Sequence, residues 1–360
     1  MNNNQRRNFA SDNNAPVCPE AWEAMQEANM GHASAYGTDH WTDAACEKIR
    51  EIFETNCEVF FAFNGTAANS LSLASLCQSY HSVIAHELAH VETDECGAPE
   101  FYSGGSKILL VQSEDGKVHP DSVEATVHRR SDLHYPKPKV VSITQCTEVG
   151  TVYTPSELQN LGAITHGLGL HLHMDGARFA NALASLGCSP KEITWRAGVD
   201  VLCLGGTKNG LAIGEAVLFF NKELAREFEY RCKQAGQLCS KMRYLSAPWL
   251  GMLRDGAWLR HAQHANERAT QLADGLTQLD DIELLFPSQA NAVFVKMPDR
   301  LISGLYARGW DFYDFIGAGG CRLMCSWDTT EEDVDAFLGD VNEIITSGED
   351  HTKSHPVNRH

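Results

Sequence analysis

Short apolar runs alternate with helical patterns along most of this chain, and this order constrains the fold more than any other sequence feature. The runs typical of buried strands lie at 59–63, 83–85, 108–111, 140–143, 168–174, 201–204 and 216–220. Amphipathic helical patterns, such as the one at 44–54, separate several of them. Strands that alternate with helices predict βαβ units, and therefore an α/β fold around a mostly parallel sheet.

The pattern changes after Pro248. A long helical stretch at 258–279 leads to two strand-like runs and then to a last helix, which Thr329 and Glu332 would open as a capping box. This order predicts a small C-terminal α+β domain. We therefore expect disordered ends at 1–8 and 347–360, a large domain at 9–255 and a small domain at 256–346.

Charge and cysteine usage narrow the class of protein. The net charge of −18 argues against a nucleic-acid or anionic-membrane partner, because phosphate groups attract basic surfaces. The twelve cysteines show no C-x-x-C spacing, and the first residues show no apolar signal-peptide core. No apolar run reaches the length of a membrane span. These features predict a cytoplasmic protein with reduced thiols.

Two chemically reactive side chains follow two of the predicted strands. The run 168–174 alternates apolar and other residues, so Asp175 leaves the carboxyl end of a strand, and Lys208 follows the run 201–204 in the same way. Ligands of open α/β sheets bind outside the carboxyl ends of strands, so these two side chains should converge. A lysine that closes a Schiff base and a carboxylate that keeps a pyridine nitrogen protonated are what pyridoxal 5′-phosphate (PLP) needs. Either residue alone would read as part of a turn, and the pair predicts PLP.

Gly65 and Thr66 connect a strand to an apolar helix. The backbone N–H groups of a helix start would hold a phosphate, and a glycine permits its close approach. The alternative is a plain strand-to-helix turn capped by Asn64 or Thr66.

Arg178, Arg322 and His134 are candidate substrate ligands. Arg178 follows Asp175 by about one helical turn and could reach the cofactor's phenolic oxygen or a substrate carboxylate. Arg322 lies in an apolar strand and needs an acid, either a substrate carboxylate or a local side chain. His134 could hydrogen-bond a substrate hydroxyl or could be an ordinary loop histidine.

A rival signal is His86-Glu87-Leu88-Ala89-His90, which matches the His-Glu-x-x-His pattern of zinc peptidases. That chemistry needs both histidines on one helical face. The segment follows a strand of its own, and the residues after it disfavour a long helix. We therefore expect no metal, and His90 is free to stack on the PLP ring.

Together these pieces resemble the threonine aldolase family of fold-type I PLP enzymes, over about residues 8–338. The matching pieces, in chain order, are Ala10-Ser11-Asp12, Tyr36-Gly37, Gly65-Thr66-x-Ala68-Asn69, Ala89-His90, Glu95-x-Gly97, Asp132-Leu133-His134, His173-Met174-Asp175-Gly176-Ala177-Arg178, Thr207-Lys208, Met242-Arg243 and Arg322-Leu323.

The resemblance implies a role for each matching residue. Lys208 carries the cofactor, Asp175 pairs with its ring nitrogen and His90 stacks on the ring. Cofactor contacts are further implied for Gly65, Thr66, Thr207, Arg178 and Arg243, the last reaching a phosphate in a neighbouring subunit of a dimer-based oligomer, often a tetramer (a dimer of dimers). Substrate contacts are implied for Ser11, Arg178, Arg322 and His134, and catalytic roles for Lys208, His90, His134 and Asp175.

The implied reaction is cleavage of an L-β-hydroxy-α-amino acid, such as threonine, allo-threonine or phenylserine, to glycine and an aldehyde. The chain departs from the family at Asp94, at 144–148 and at 237–241, which is consistent with its phenylserine aldolase or low-specificity L-threonine aldolase branch. The alternatives are another fold-type I reaction (β-elimination, transamination or decarboxylation), a non-catalytic PLP-binding protein, and the zinc peptidase.

Overall fold

A computed structural model describes residues 8–279, 281–314 and 320–347. The predicted disordered ends therefore fall almost wholly outside the described residues. At the two edges of the description, Asn8 forms a β-bridge with Asp311 and Ser347 is the last residue of a helix. Within the described chain, no helix combines the length and apolar character that crossing a bilayer requires.

A seven-stranded sheet forms the centre of the large unit. Its strands are β1 (Glu58–Ala62), β2 (His81–His86), β3 (Lys107–Val111), β4 (Lys137–Thr144), β5 (His171–Gly176), β6 (Val201–Leu204) and β7 (Glu215–Phe219). Their spatial order is β1-β7-β6-β5-β4-β2-β3, and only β7 runs antiparallel to its neighbours. The predicted α/β fold with a mostly parallel sheet is confirmed.

Helices cover both faces of this sheet. They are α1 (Pro19–Ala28), α2 (His40–Phe53), α3 (Gly65–Leu76), α4 (His90–Thr93), α5 (Ala98–Tyr102), α6 (Pro120–His128), α7 (Pro155–Gly167), α8 (Phe179–Leu186), α9 (Phe228–Gln234) and α10 (Arg243–Leu253). Leu202 and Leu204 of β6 point into the larger core, whereas Val201 and Cys203 point into the core under α3 and α9. The alternation follows from the two-residue period of a strand, and it lets one sheet bury apolar side chains on both faces.

Strand β5 begins three residues later than the sequence pattern predicts. Leu170, Leu172 and Met174 do lie in one core, as expected. Leu168, however, caps the end of α7, and Gly169 has a left-handed φ of 72° that ends the helix. The strand ends at Gly176, so Asp175 is its second-last residue and does not follow it.

The smaller unit has a three-stranded antiparallel sheet in the order β10-β9-β8. Its elements are α11 (Ala257–Thr277), β8 (Glu283–Leu284), β9 (Ala292–Lys296), α12 (Asp299–Ala307), β10 (Gly320–Met324) and α13 (Glu331–Ser347). The expected boundary near 255 lies where Asp255 and Gly256, both at positive φ, separate α10 from α11. Phe9, expected in the large domain, packs instead with Trp310 and Phe337 in the core of this smaller unit.

The predicted capping box of the last helix is wrong by one residue. The Thr330 hydroxyl accepts from the Asp333 N–H at 3.1 Å, and the Asp333 carboxylate accepts from the Thr330 N–H at 2.9 Å. Thr329 instead accepts the Ser326 N–H at 2.8 Å and so stabilises the preceding turn. Aspartate replaces glutamate in the reciprocal bond, a substitution that the Thr-x-x-Glu pattern overlooks.

Candidate active site

Lys208 and Asp175 line the same cavity of about 450 Å³ at the carboxyl edge of the large sheet. Strands β5 and β6 are parallel neighbours, so the residues that follow them emerge side by side. The cavity wall also contains Asn13, Phe63, Asn64, Gly65, Thr66, Asn69, His90, Glu148, Ala177, Cys203, Thr207, Ile213 and Glu215. This volume lies in the range of small-molecule sites, roughly 300–1,000 Å³.

The Asp175 carboxylate is held on both oxygens. Asn69 Nδ2 donates to Oδ2 at 2.8 Å, and the Ala177 N–H donates to Oδ1 at 2.9 Å. Asp175 is only 5% exposed. A buried carboxylate with fixed oxygens can stabilise a nearby positive charge without reorganising first.

His90 also lines this cavity and is hydrogen-bonded to the buried Glu95. Its Nδ1 lies 2.9 Å from Glu95 Oε1, and the hydrogen bond to Glu95 raises the pKa of His90. Burial raises the pKa of Glu95, so the pair retains a proton more readily than either group would alone. The sequence resemblance included Glu95 and Asn69 but assigned them no role.

The start of α3 forms a second edge of the cavity. The Asn64 side chain caps the helix by accepting the Ala67 N–H at 2.9 Å. The N–H groups of Gly65 and Thr66 lie in the first turn, where a helix offers them no acceptor. A Cβ at Gly65 would meet no atom within 4 Å, so this edge is open to a ligand. The donors and the positive end of the helix suit a phosphate.

Lys208 lies on a short 3-10 turn that Glu215 holds in place. Both carboxylate oxygens of Glu215 are used: Oε2 accepts the Gly206 N–H at 2.7 Å, and Oε1 accepts the Thr207 hydroxyl at 2.8 Å. Burial raises the pKa of Glu215. Glu215 was missed from the sequence because it lies on the next strand, β7, and only the antiparallel pairing of β6 with β7 returns it to this turn.

Arg178 pairs with Asp12 beside the cavity. Its Nε and Nη2 donate to the two Asp12 oxygens at 2.7 and 2.9 Å. Burial opposes the ionisation of Asp12, but the charges of Arg178 and Lys208 outweigh burial and lower the Asp12 pKa. Asp12 occurs in the matched Ala10-Ser11-Asp12 piece, yet only Ser11 was singled out there.

Arg322 completes a basic cluster with Arg178. Its Nη2 donates to the Ala10 carbonyl at 3.2 Å, and its guanidinium lies 4.8 Å from the centre of the Tyr313 ring. Burial and the neighbouring Arg178 charge lower the Arg322 pKa. The negative charges of Asp12 and Glu148 act on both guanidinium groups.

Five sequence-predicted residues of the described chain do not line this cavity. Arg178 and Arg322 lie in the cluster beside it, and the other three are Ser11, His134 and Arg243. The Ser11 hydroxyl accepts the Asn13 N–H at 3.2 Å. His134 is exposed, and its backbone N–H donates to the Asp132 carboxylate at 3.1 Å. Arg243 is the first residue of α10 and donates to the Gly31 carbonyl at 3.3 Å.

The zinc-peptidase arrangement of His86, Glu87 and His90 is not formed. His86 is the last residue of β2, and its Nε2 accepts the Ser113 N–H at 3.1 Å. Glu87 accepts from Gln112 at 2.6 Å, and His90 begins the four-residue helix α4. The two histidines therefore do not share a helical face, as that chemistry requires.

The donor groups in this cavity fit PLP: a lysine amine, an oriented carboxylate, an imidazole and a helix start. The family model described as "Beta-eliminating lyase" matches residues 8–300. Fold and site together define a lyase of fold-type I.

Close relatives narrow this class. A low specificity L-threonine aldolase of Pseudomonas aeruginosa is 62% identical over 94% of this chain and 97% of its own length. One from a Pseudomonas species is 60% identical over 95% of this chain and 99% of its own length. The solved structure of Leishmania major threonine aldolase is 30% identical, with a TM-score of 0.89 over 94% of this chain and 99% of that chain. The chain belongs to the threonine aldolase family.

Proposed function

We propose that this protein is a PLP-dependent aldolase that cleaves L-β-hydroxy-α-amino acids, among them threonine, allo-threonine and phenylserine, to glycine and an aldehyde. The observation that carries the proposal is the placement of Lys208 and Asp175 on one cavity wall. The names of the two Pseudomonas relatives support the substrate class.

In this proposal each part of the cavity holds one part of the cofactor. Lys208 would bind its aldehyde, Asp175 would hold the charge of its ring nitrogen, His90 would contact its ring, and the first turn of α3 would bind its phosphate. PLP bound there would withdraw electrons from the bond to be broken. The protein's own contribution is to orient the ligand, to keep charges fixed and to exclude water.

The basic cluster would hold the substrate carboxylate. Arg178 and Arg322 lie side by side in this cluster, and Asp12 fixes the orientation of the Arg178 guanidinium. His90 or His134 would meet the β-hydroxyl. For His134 this requires its exposed loop to close over the cavity or to meet the cavity of a neighbouring chain.

The phosphate site suggests an oligomer with shared active sites. Among the described residues of the cavity wall, the basic side chains are Lys208 and His90. No arginine of the described wall lies near the start of α3. A phosphate carries close to two negative charges and favours a guanidinium partner. The family resemblance assigns this role to Arg243, and we infer that Arg243 of a neighbouring chain supplies the guanidinium, in a dimer or a dimer of dimers.

The unpaired cysteine thiols support a reducing compartment for this protein. All twelve cysteines are unpaired, and most are buried. Unpaired thiols in such number are typical of reducing compartments. We therefore infer that the enzyme acts in the cytoplasm.

A product assay tests the function. The purified holoenzyme receives threonine, allo-threonine and β-phenylserine, each in both Cα configurations, and glycine, aldehyde, ammonia, keto acid and carbon dioxide are measured. We expect glycine and aldehyde in equal amounts from the L forms only. Ammonia with a keto acid, or carbon dioxide, would overturn the proposal in favour of another fold-type I reaction.

A mixing experiment tests the shared site. Lys208→Ala and Arg243→Ala proteins are each assayed alone and after co-refolding, while light scattering gives the mass of the assembly. If Arg243 acts across an interface, mixed dimers contain one complete site, and the mixture regains up to about half of the activity per mixed dimer. A mixture as inactive as its components, or a monomeric wild type, would contradict the shared site.

A further inference from the structure

A chain of buried hydrogen bonds joins Asp175 to His90 through Asn69 and Glu95. The Asn69 Nδ2 group donates to Asp175 Oδ2 and to Glu95 Oε1, both at 2.8 Å. Glu95 Oε1 in turn lies 2.9 Å from His90 Nδ1. Because these residues come from α3, β5 and the α4 region, Asn69 connects parts of the cavity that are far apart in sequence.

The orientation of the Asn69 amide is set by the two carboxylates. Asn69 is 1% exposed, and its Oδ1 is buried without a hydrogen-bond partner among the described residues. Reversing the amide would point Oδ1 at two carboxylates and would lose two charge-assisted bonds. A buried polar atom left without a partner is costly, so the two bonds that the amide donates must offset the cost of leaving Oδ1 unpaired.

We propose that Asn69 is a positioning residue that holds the Asp175 carboxylate and the Glu95–His90 pair in one hydrogen-bonded unit. The inference rests on the proposed PLP-dependent function. The orientations of the Asp175 carboxylate and the His90 imidazole are then not independent. One amide fixes Asp175 directly and His90 through Glu95.

Other ionisable groups surround this unit and act on the same charges. His90 is influenced by Asp175 and by Glu148, and the Asp175 charge acts on His173, Cys203 and Glu215, the last of which also interacts with Lys208. Most of these groups are acidic. The Asn69 amide cannot ionise, so it joins two carboxylates without adding a third negative charge.

The bond to Glu95 also affects what His90 can do. With Nδ1 directed at Glu95, only Nε2 remains for a ligand. The same bond raises the His90 pKa, which favours the protonated ring. The bond to Glu95 therefore makes the imidazole a stronger base and leaves Nε2 as the atom that meets a ligand.

The first test compares Asn69→Ala with Asn181→Ala. Asn181 is also a buried asparagine, 5% exposed, but its Nδ2 donates to Ala262 and Asn266 on α11, away from the cavity wall. The measurements are the Kd for PLP and the pH midpoint of the cofactor's visible absorbance. We expect Asn69→Ala to raise the Kd about tenfold and to move the midpoint by about one pH unit, whereas Asn181→Ala changes neither.

A second variant guards against a folding defect. Asn69→Asp keeps the side-chain size but, when ionised, donates to neither carboxylate. Circular dichroism and melting temperatures establish that each variant is folded. Wild-type Kd and midpoint in both Asn69 variants would overturn the proposal, and so would an equal effect of Asn181→Ala.

Glu95→Gln tests the far end of the chain. Glutamine keeps the size but loses the charge that raises the His90 pKa, so the limb of the kcat pH profile that belongs to His90 should move to lower pH by about one unit. An unchanged profile would overturn the link between Glu95 and His90. A wild-type protein without any PLP absorbance would instead contradict the proposed function, so the two failures are distinguishable.

Discussion

The cofactor half of the site (Lys208, Asp175, His90, Gly65 and Thr66) and the arginine cluster beside it (Asp12, Arg178 and Arg322) are assembled in different ways. Every member of the cofactor half lies at or just beyond the end of a strand of one sheet. The arginine cluster joins the N-terminal segment, the residue that precedes α8 and a strand of the smaller sheet.

This difference affects how the two regions respond to change. In the cofactor half, the pairing of neighbouring strands fixes the positions of the site residues. A backbone N–H group, that of Ala177, also holds the Asp175 carboxylate. In the arginine cluster, a single carboxylate connects the segments: Asp12 pairs with Arg178 and also accepts from Asn291 at 3.1 Å. We therefore expect substitutions in the cofactor half to affect cofactor binding and chemistry most, and substitutions at Asp12 to affect stability most.

The largest effect is expected from Lys208→Ala. Without the amine, the cofactor cannot attach covalently, so the visible absorbance should disappear and turnover should fall at least about a thousandfold. Spectra and product assays on the same sample measure both. Lys208→Arg is the matched control: it keeps the positive charge but not the nucleophile, and it should be equally inactive. An unchanged spectrum in Lys208→Ala would contradict the role of this residue.

The next effect is expected from Asp12→Asn in the arginine cluster. Breaking a buried ion pair leaves a guanidinium without its counter-charge, so the free energy of unfolding should fall by about 3–5 kcal/mol. Denaturant unfolding measures it. Arg130 and Asp132 form the matched control, because they make the same two-bond pair, at 2.9 and 2.8 Å, on an exposed loop.

Asp132→Asn should leave unfolding unchanged within experimental error, since exposed ion pairs contribute little. Equal effects of the buried and exposed substitutions would mean that the arginine cluster is not held together by Asp12.

A smaller effect is expected from Glu215→Gln in the cofactor half. Glutamine retains one acceptor oxygen. Its NH2 group, however, would face one of the two groups that now donate to Glu215. The turn that carries Lys208 should loosen, and the Kd for PLP should rise about tenfold. Equilibrium dialysis measures this, with Thr207→Ser as a control that keeps the hydroxyl. A wild-type Kd in Glu215→Gln would show that other contacts hold the turn.

The smallest effect is a pH dependence that belongs to the arginine cluster. Arg178 and Lys208 lower the Asp12 pKa below its ordinary value of 3.8, against the opposing effect of burial. A lowered carboxylate pKa stabilises the fold above the unfolded-state value and loses that stabilisation as the pH falls through the folded-state value. The stability difference between wild type and Asp12→Asn should therefore shrink below about pH 3.8. A constant difference down to pH 2 would contradict the assignment.

The cofactor half was largely predictable from sequence because its geometry depends on local order. Parallel strands place the residues at their carboxyl ends along one edge of the sheet. The order of strands in the sequence therefore predicts that Asp175 and Lys208 meet. The start of α3 behaves in the same way, since a strand followed by a glycine and a helix places backbone N–H groups at that edge.

The supporting contacts were not predictable, for two reasons. Glu215 and Asn69 act through strand and helix packing, and their sequence neighbours contain no sign of it. The roles expected for His134 and Arg243 would depend on loop position or on a neighbouring chain, which the order of strands does not specify. The His86 and His90 pair shows the reverse case, in which a five-residue match fails because a strand ends within it.

By itself, the sequence determined the α/β class and the sheet edge at which Asp175 and Lys208 meet, and it predicted which residues bind the cofactor, because period-two alternation and strand-end motifs are local properties. The tertiary structure decided how those residues are held. Asn69 between two carboxylates, Glu215 under the lysine turn and Asp12 between the two units are contacts that exist only when distant segments pack together, and burial then gives each of them its strength.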